Sequence, residues 1–215
     1  MITIKTKEEH ALLREGGKRL ARILSELASE VKPGASAAFI DELARKLIVA
    51  SGDEPVFLGY QPDLALRPYP ASLCVSVNDE IVHGIPNERE KIFKEGDVVG
   101  LDIGLSHKKM IVDMAVTVPV GRIDGAAEKL LRATEEALAV GIKAAQGGAR
   151  VGDIGAAIQA FVKPHGYGIV RELAGHGVGY AVHEEPYVPN YGKRNTGPIL
   201  KPGMVIAIEP MLNEG

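Results

Sequence analysis

The sequence predicts an internally duplicated α+β domain, and three observations carry the prediction. A helix–turn–helix pattern occurs twice, each copy is followed by strand-like segments, and two apolar strands near the middle are joined by a short polar turn. Residues 7–30 place Leu12, Leu13, Leu20, Ile23, Leu24 and Leu27 at helical spacing, and the helix should end before Lys32-Pro33-Gly34. A second helix is expected over 36–50, with Ser36 as N-cap and Phe39, Ile40, Leu43 and Leu47 on its apolar face. A Pro-, Gly- and Tyr-rich loop covers 52–70, and 73–78 reads as a strand. Residues 97–105 and 110–120 read as strands joined by Ser106-His107-Lys108-Lys109. From 125 the helical pattern resumes, turns at Gln146-Gly147-Gly148 and continues through 151–167. Gly148 matches Gly34, Ile154 matches Ile40 and Phe161 matches Leu47, all at one offset of 114. A last strand is expected at 204–209, after Lys201-Pro202-Gly203. No linker divides the chain, so residues 1–215 read as a single domain.

The charge balance, 25 Lys+Arg against 28 Asp+Glu for a net −3, gives no reason to expect nucleic acid or an anionic membrane as a partner. No apolar run approaches a transmembrane span, and the N-terminus lacks the apolar core of a signal peptide. Cys74 is the only cysteine, which rules out an internal disulfide and fits a reducing cytoplasm. A soluble cytoplasmic protein is expected.

Four residues form the strongest chemical pattern. Asp102 interrupts the apolar strand GLDIG and Asp113 the strand IVDMA. A turn centred between His107 and Lys108 would set them directly opposite each other, with Cβ atoms ~5 Å apart. Two such carboxylates repel unless a proton or a cation lies between them, and oxygen-rich sites select hard divalent ions. His176 sits among three glycines in AGHGVG, where backbone and ligand can approach closely. Glu209 ends the strand VIAIE on the face of Val205 and Ala207, a placement that asks for a rim position or a partner. His183 follows His176 by seven residues, and His83 lies between a strand and a turn in VNDEIVHGIP. Each of these alone also reads as a structural or exposed side chain; two Asp, one His and one Glu together point to a carboxylate–imidazole metal site.

Taken together these segments resemble the type I methionine aminopeptidases over essentially the whole chain. VNDEIVHGIP is similar to the family's signature around its substrate-side histidine. D-I-G followed by D-M-A-V-T-V is similar to its paired aspartates, and G-H-G-V-G, His183 and I-E-P to its histidine ligand, catalytic histidine and glutamate ligand. The resemblance implies the α+β pita-bread fold, with a pseudo-twofold repeat around a central antiparallel sheet. It implies two divalent metal ions (Co, Mn, Fe or Zn) held by Asp102, Asp113, His176 and Glu209, with Asp113 bridging, which activate water and polarise the scissile carbonyl. Glu209 would accept the proton, His183 would support the carbonyl oxygen, and His83 would contact the peptide near the scissile bond. Tyr60, Tyr69 and Cys74 would line the methionine pocket, although Cys74 reads equally as a small buried hydrophobe. The implied reaction is removal of the initiator methionine from nascent chains, before a small second residue. The implied setting is the ribosome, with the enzyme a monomer.

Three features depart from the family. The loop 59–70 is long, Val182 stands where an aromatic is common, and the sequence ends before further strands and a second bridging glutamate. Truncation at the C-terminus, or completion by another chain, is therefore expected. A proline-directed peptidase (Xaa-Pro aminopeptidase or prolidase) and a non-catalytic binding module of the same fold are the alternative readings.

Overall fold

The computed structural model describes residues 1–62 and 65–214; positions 63 and 64 of the long loop, and residue 215, lie outside them. The chain forms two compact units, one of Ala11–Asp124 and one of Met1–His10 with Gly125–Gly215.

In the first unit, helices α1 (Lys7–Glu30) and α2 (Ala37–Ala50) lead to strands β1 (Glu54–Pro55), β2 (Leu73–Val77), β3 (Val98–His107) and β4 (Met110–Pro119). Ser36 caps α2 by accepting a hydrogen bond from the Phe39 N–H, as expected of a serine N-cap. The buried stripe of α2 runs through Ala37, Ile40, Ala44 and Ile48, so the predicted face is turned: Phe39 is half exposed and Leu43 and Leu47 flank the core. β3 is the central strand. β4 pairs along one edge, and β2 and β1 share the other. Alternation along β3 buries Val99, Leu101, Ile103 and Leu105 against Leu20, Leu27, Ile40 and Ile48 of the helices. The opposite face of the sheet carries small and polar residues: Cys74 and Ser76 of β2, Gly100, Asp102 and Gly104 of β3, and Asp113, Ala115 and Thr117 of β4. At the end of β3, His107 Nδ1 lies 2.7 Å from the buried Asp53 carboxylate, which also accepts the Ser51 hydroxyl at 2.8 Å. This fastens the hairpin to the turn after α2.

The hairpin turn departs from the expected one. Lys108 and Lys109 form a two-residue connection with φ of 49° and 69°, the type I′ geometry that matches strand twist. Gly104 therefore faces Asp113, and Asp102 faces Ala115. The two aspartates are diagonal rather than directly opposed, two residues out of the predicted register. Because strand side chains alternate with period two, a shift of two leaves both on one face, about 7 Å apart.

In the second unit, α3 (Gly125–Ala144) and α4 (Val151–Val162) are followed by a 3₁₀ turn at Lys163–His165. The short strands are β5 (Gly168–Ile169), β6 (Gly175–Gly177), β7 (Glu184–Val188) and β8 (Leu212–Asn213), with β5 paired to β8 and β6 to β7. Its core gathers Ala133, Ala137, Ile154, Ile158, Val162, Val188 and Leu200. The strand expected at 204–209 is not formed as such. That segment is half buried throughout and joins β6 by one bridge, Gly177 with Ile206, flanked by N–H donation from Val178 to Val205 O and from Ala207 to His176 O. Residues 3–5 belong to this unit, where the Lys5 N–H donates to Gly203 O at 2.8 Å. Among the described residues, no helix is long and apolar enough to cross a membrane.

Candidate metal centre

In the first unit, the aspartates stand on the small-residue face of the sheet, both half buried. Cys74 is the cross-strand neighbour of Asp102 on β2. Burial first, then the charge of Asp102, pushes the Cys74 thiol well above its usual range. It is a neutral lining group beside the carboxylates, not a thiolate. The same face meets Tyr69, whose hydroxyl donates to Gly84 O at 3.0 Å and to Leu73 O at 3.3 Å. Burial is the main cause of its raised pKa, with Cys74 and Asp102 adding to it.

The backbones of Gly59, Tyr60 and Tyr69 close on one another: Gly59 N–H donates to Tyr69 O and Tyr69 N–H to Tyr60 O, both at 2.8 Å. The unusual length of 59–70 is thus spent in a loop closed at its base, and Tyr60 and Tyr69 stay adjacent.

His83 is held by its neighbour. Gly84 donates to the Ser76 hydroxyl at 3.1 Å and accepts from the Val75 N–H at 2.8 Å, and a Cβ at Gly84 would lie 2.2 Å from Val75 O. Only glycine permits this approach to β2, which fixes His83 at φ 59°. His83 is exposed at its edge, yet crowding around the ring lowers its pKa, with the charge of Asp113 opposing that shift. A cavity of about 480 Å³ opens beside it, lined by Glu80, Val82, Ile85, Arg89 and Lys91 among others.

In the second unit, His176 lies at the centre of β6. A Cβ on Gly175 would meet Ala207 O at 2.3 Å, and one on Gly177 would meet Glu185 O at 2.2 Å. The glycines around His176 therefore serve the close approach expected of them. The His176 Nδ1 lies 2.8 Å from Gly177 O, so Nδ1 carries a proton and donates it there. Nε2 stands 3.4 Å from Glu209 Oε1. Two donors each ~2.1 Å from one ion are separated by about 3.0–3.4 Å, so this spacing suits a shared cation. The His183 ring lies edge-on to His176, with centroids 4.4 Å apart. Asn190, fully buried, donates from its amide to Glu209 O at 2.9 Å.

The loop bearing His183 is closed by the next residue. The Glu184 carboxylate accepts the N–H groups of Tyr180 and of Ala181 (3.1 Å), the Thr3 hydroxyl, and the Lys5 ammonium at 2.7 Å. Burial raises the Glu184 pKa, but these donors outweigh it and hold the carboxyl below its usual range. Neither Glu184, Lys5 nor Asn190 stood out in the sequence. Spacing announces a metal ligand next to glycines, but a carboxylate paired with a lysine at the other end of the chain leaves no local trace.

Among the described residues, no group of three or more His, Cys, Asp or Glu side chains is placed to hold one metal ion. The first unit carries the carboxylate pair Asp102 and Asp113, and the second the imidazole–carboxylate pair His176 and Glu209. A carboxylate-rich set with one imidazole fits divalent cations.

The sequence pattern of metallopeptidase family M24 matches residues 11–215. Methionine aminopeptidase 1 of Bacillus subtilis (strain 168) is 44% identical over 215 residues, covering 100% of this chain and 84% of the relative. The methionine aminopeptidase of Thermotoga maritima superposes with a TM-score of 0.94 at 40% identity, covering 100% of this chain and 84% of that one. The prolidase of Pyrococcus furiosus shares the fold, with a TM-score of 0.80 at 24% identity over 96% of this chain and 57% of its own. From the donor pairs, the glycine-bounded His176 and these likenesses, the chain belongs to metallopeptidase family M24, and within it to the methionine aminopeptidases.

Proposed function

We propose that the protein removes the initiator methionine from polypeptide N-termini by metal-assisted hydrolysis, before a small second residue. The observation that carries this reading is the pairing of His176 Nε2 with Glu209 at cation-sharing distance, in a chain that matches methionine aminopeptidases along its whole length. Asp102, Asp113, His176 and Glu209 would hold two divalent ions, drawn from Co, Mn, Fe and Zn. When bound, these ions polarise the scissile carbonyl and acidify a water.

The protein's own groups do the rest. Glu209 accepts the proton given up by the attacking water. His183 donates to the carbonyl oxygen as negative charge builds there, an interaction that strengthens in the transition state. His83 stays neutral at physiological pH because its pKa is lowered, so it meets the peptide as a hydrogen-bonding group, not as a cation. Tyr60, Tyr69 and Cys74 line an uncharged pocket for the methionine side chain, and the neutral thiol suits a thioether neighbour. Nascent chains at the ribosome in the cytoplasm are the setting, with the protein acting as a monomer.

Incubation with Met-Ala-Ser and with an Ala-Pro dipeptide, each with added manganese(II), tests the reading. Release of methionine from the first and no cleavage of the second is expected. Cleavage confined to the proline peptide would assign a proline-directed activity. Failure of the wild type to retain divalent metal above a His176→Ala control would remove the metal centre altogether.

A further inference from the structure

We infer that Lys5 is a positioning residue for His183, acting through the buried carboxylate of Glu184. The inference rests on the role proposed above for His183 and extends it to the N-terminal segment. Lys5 and Glu184 form an ion pair at 2.7 Å whose side chains are 1% and 7% exposed, 179 residues apart in sequence. A pair buried this deeply gives little net stability, because desolvation offsets attraction. Its worth lies in holding geometry.

That geometry is specific. Glu184 takes four donors at once: two from the loop itself (Tyr180 and Ala181 N–H) and two from the N-terminal segment (Thr3 hydroxyl and Lys5 ammonium). Thr3 is also bonded by Lys5, whose ammonium lies 4.9 Å from the Tyr180 ring centroid. The Tyr180 hydroxyl donates to Glu9 at 2.8 Å, and Glu9 and Thr6 bond reciprocally at the start of α1. On the other side, the Lys5 N–H is fixed to Gly203 O, and a Cβ on Gly203 would lie 2.6 Å from the Ile4 side chain. The segment is therefore pinned by its backbone, and it presents one cation to the carboxylate that follows His183. Between Gly179 and Glu184 the chain makes a tight loop, and the ring at its end meets His176 edge-on at 4.4 Å. Removing the ammonium takes from a buried carboxylate the one charged donor it has among the described residues, and the loop must open to hydrate it.

The test combines catalysis with a readout independent of it. Wild type, Lys5→Met and Lys5→Arg are assayed on Met-Ala-Ser with manganese(II), and backbone amide exchange is followed in the same samples. Lys5→Met should lower kcat at least tenfold with KM within twofold, because His183 acts as charge develops. The Tyr180 and Ala181 amides should exchange at least tenfold faster while Ile158, inside α4, keeps its rate. Lys5→Arg should restore most of both. If Lys5→Met does not fold, Thr3→Val replaces it, with a several-fold loss in kcat and the same two amides loosened. Unchanged exchange at Tyr180 and Ala181, or loosening spread equally to Ile158, would overturn the inference; so would a change in KM alone. A wild type inactive on the peptide whose Lys5→Met form still loosens those two amides would refute the proposed function and leave the tethering of the loop standing.

Discussion

The two units begin alike and then part. Gly34 and Gly148 both sit at φ 89°, and the residues before α2 and α4, Ser36 and Arg150, have φ, ψ of −107°, 148° and −109°, 156°. Gly34 N–H donates to Phe93 O as Gly148 N–H does to Leu200 O, and each helix is flanked by one bridge, Ser36 with Ile92 and Arg150 with Ile199. Ile40 and Ile154 are both fully buried. Past these helices the likeness ends. The first unit sets its two carboxylates on a hairpin of two ten-residue strands in unbroken register; the second sets its imidazole on a three-residue strand, between two glycines. Like charges need a rigid ladder to stay close. A single imidazole needs a backbone that can be approached from both sides. One frame therefore supports two solutions, chosen by the charge each half must hold.

The largest expected effect tests one proposed metal ligand from each unit. Asp113→Asn and His176→Ala should each lower kcat/KM for Met-Ala-Ser by about 10³-fold or more, beyond the ~10–100-fold cost of losing an outer partner of a metal ligand. A large loss in only one of them would break the equivalence. Next in size, Ile40→Ala and Ile154→Ala should each cost about 2–5 kcal/mol by urea unfolding, because both sites are sealed. Unequal values would show that one helix pair packs more tightly than its counterpart.

A smaller effect is expected where the frames diverge at one matched position, residues 41 and 155. Asp41 holds the start of β2 by accepting the Ser72 and Leu73 N–H groups at 2.7 and 3.0 Å. Gly155 instead admits a loop, since a Cβ there would meet Tyr191 O at 2.4 Å and Pro189 O at 2.6 Å. Asp41→Ala should cost about 1–3 kcal/mol through two stranded donors, and Gly155→Ala about 1–3 kcal/mol through overpacking. Only Gly155→Ala should also weaken metal binding by titration, since Asn190, within that loop, supports the Glu209 carbonyl.

Below that, Gly34→Ala and Gly148→Ala should each cost about 1–2 kcal/mol and agree with one another. Neither Cβ meets an atom within 4 Å, so the left-handed backbone alone sets the cost. The smallest effect is the pH dependence carried by Asp41 of the first unit. Burial raises the Asp41 pKa, so the folded form binds more protons than the unfolded chain just above the usual carboxylate range. The stability tied to this group is present below that range and lost as pH rises through the raised value. Asp41→Asn should abolish that decline, and a chemical unfolding series from pH 3 to pH 7 checks it.

Much of this was legible in the sequence because it is local. The turns at Gly34 and Gly148, the Ser36 cap and the glycines around His176 arise from residues a few positions apart, and the duplication repeats such a local pattern at an offset of 114. The face shared by Asp102 and Asp113 was also legible, but their register was not. Lys108-Lys109 lacks the asparagine or glycine that announces a type I′ turn, so the pairing slipped by two. The apolar alternation of 204–209 suggested a full strand, yet a single bridge to β6 is all that forms. Lys5 and Glu184 were out of reach because no pattern links residues so far apart.

That last contact bears on how the chain is made. Residues 1–10 cluster with residues 125–215, whereas 11–124 form a unit from one continuous stretch. Residues 1–10 must therefore wait for partners made more than a hundred residues later. At ~5–20 residues per second, the 179 residues from Lys5 to Glu184 take roughly 10–40 s to synthesise. By the end of that interval the continuous unit has its helices, its sheet and both aspartates in hand, while β5 and β6 of the other unit still await their partners β8 and β7. The loop that carries His183 is thus fastened by a residue made 179 residues before the carboxylate it pairs with.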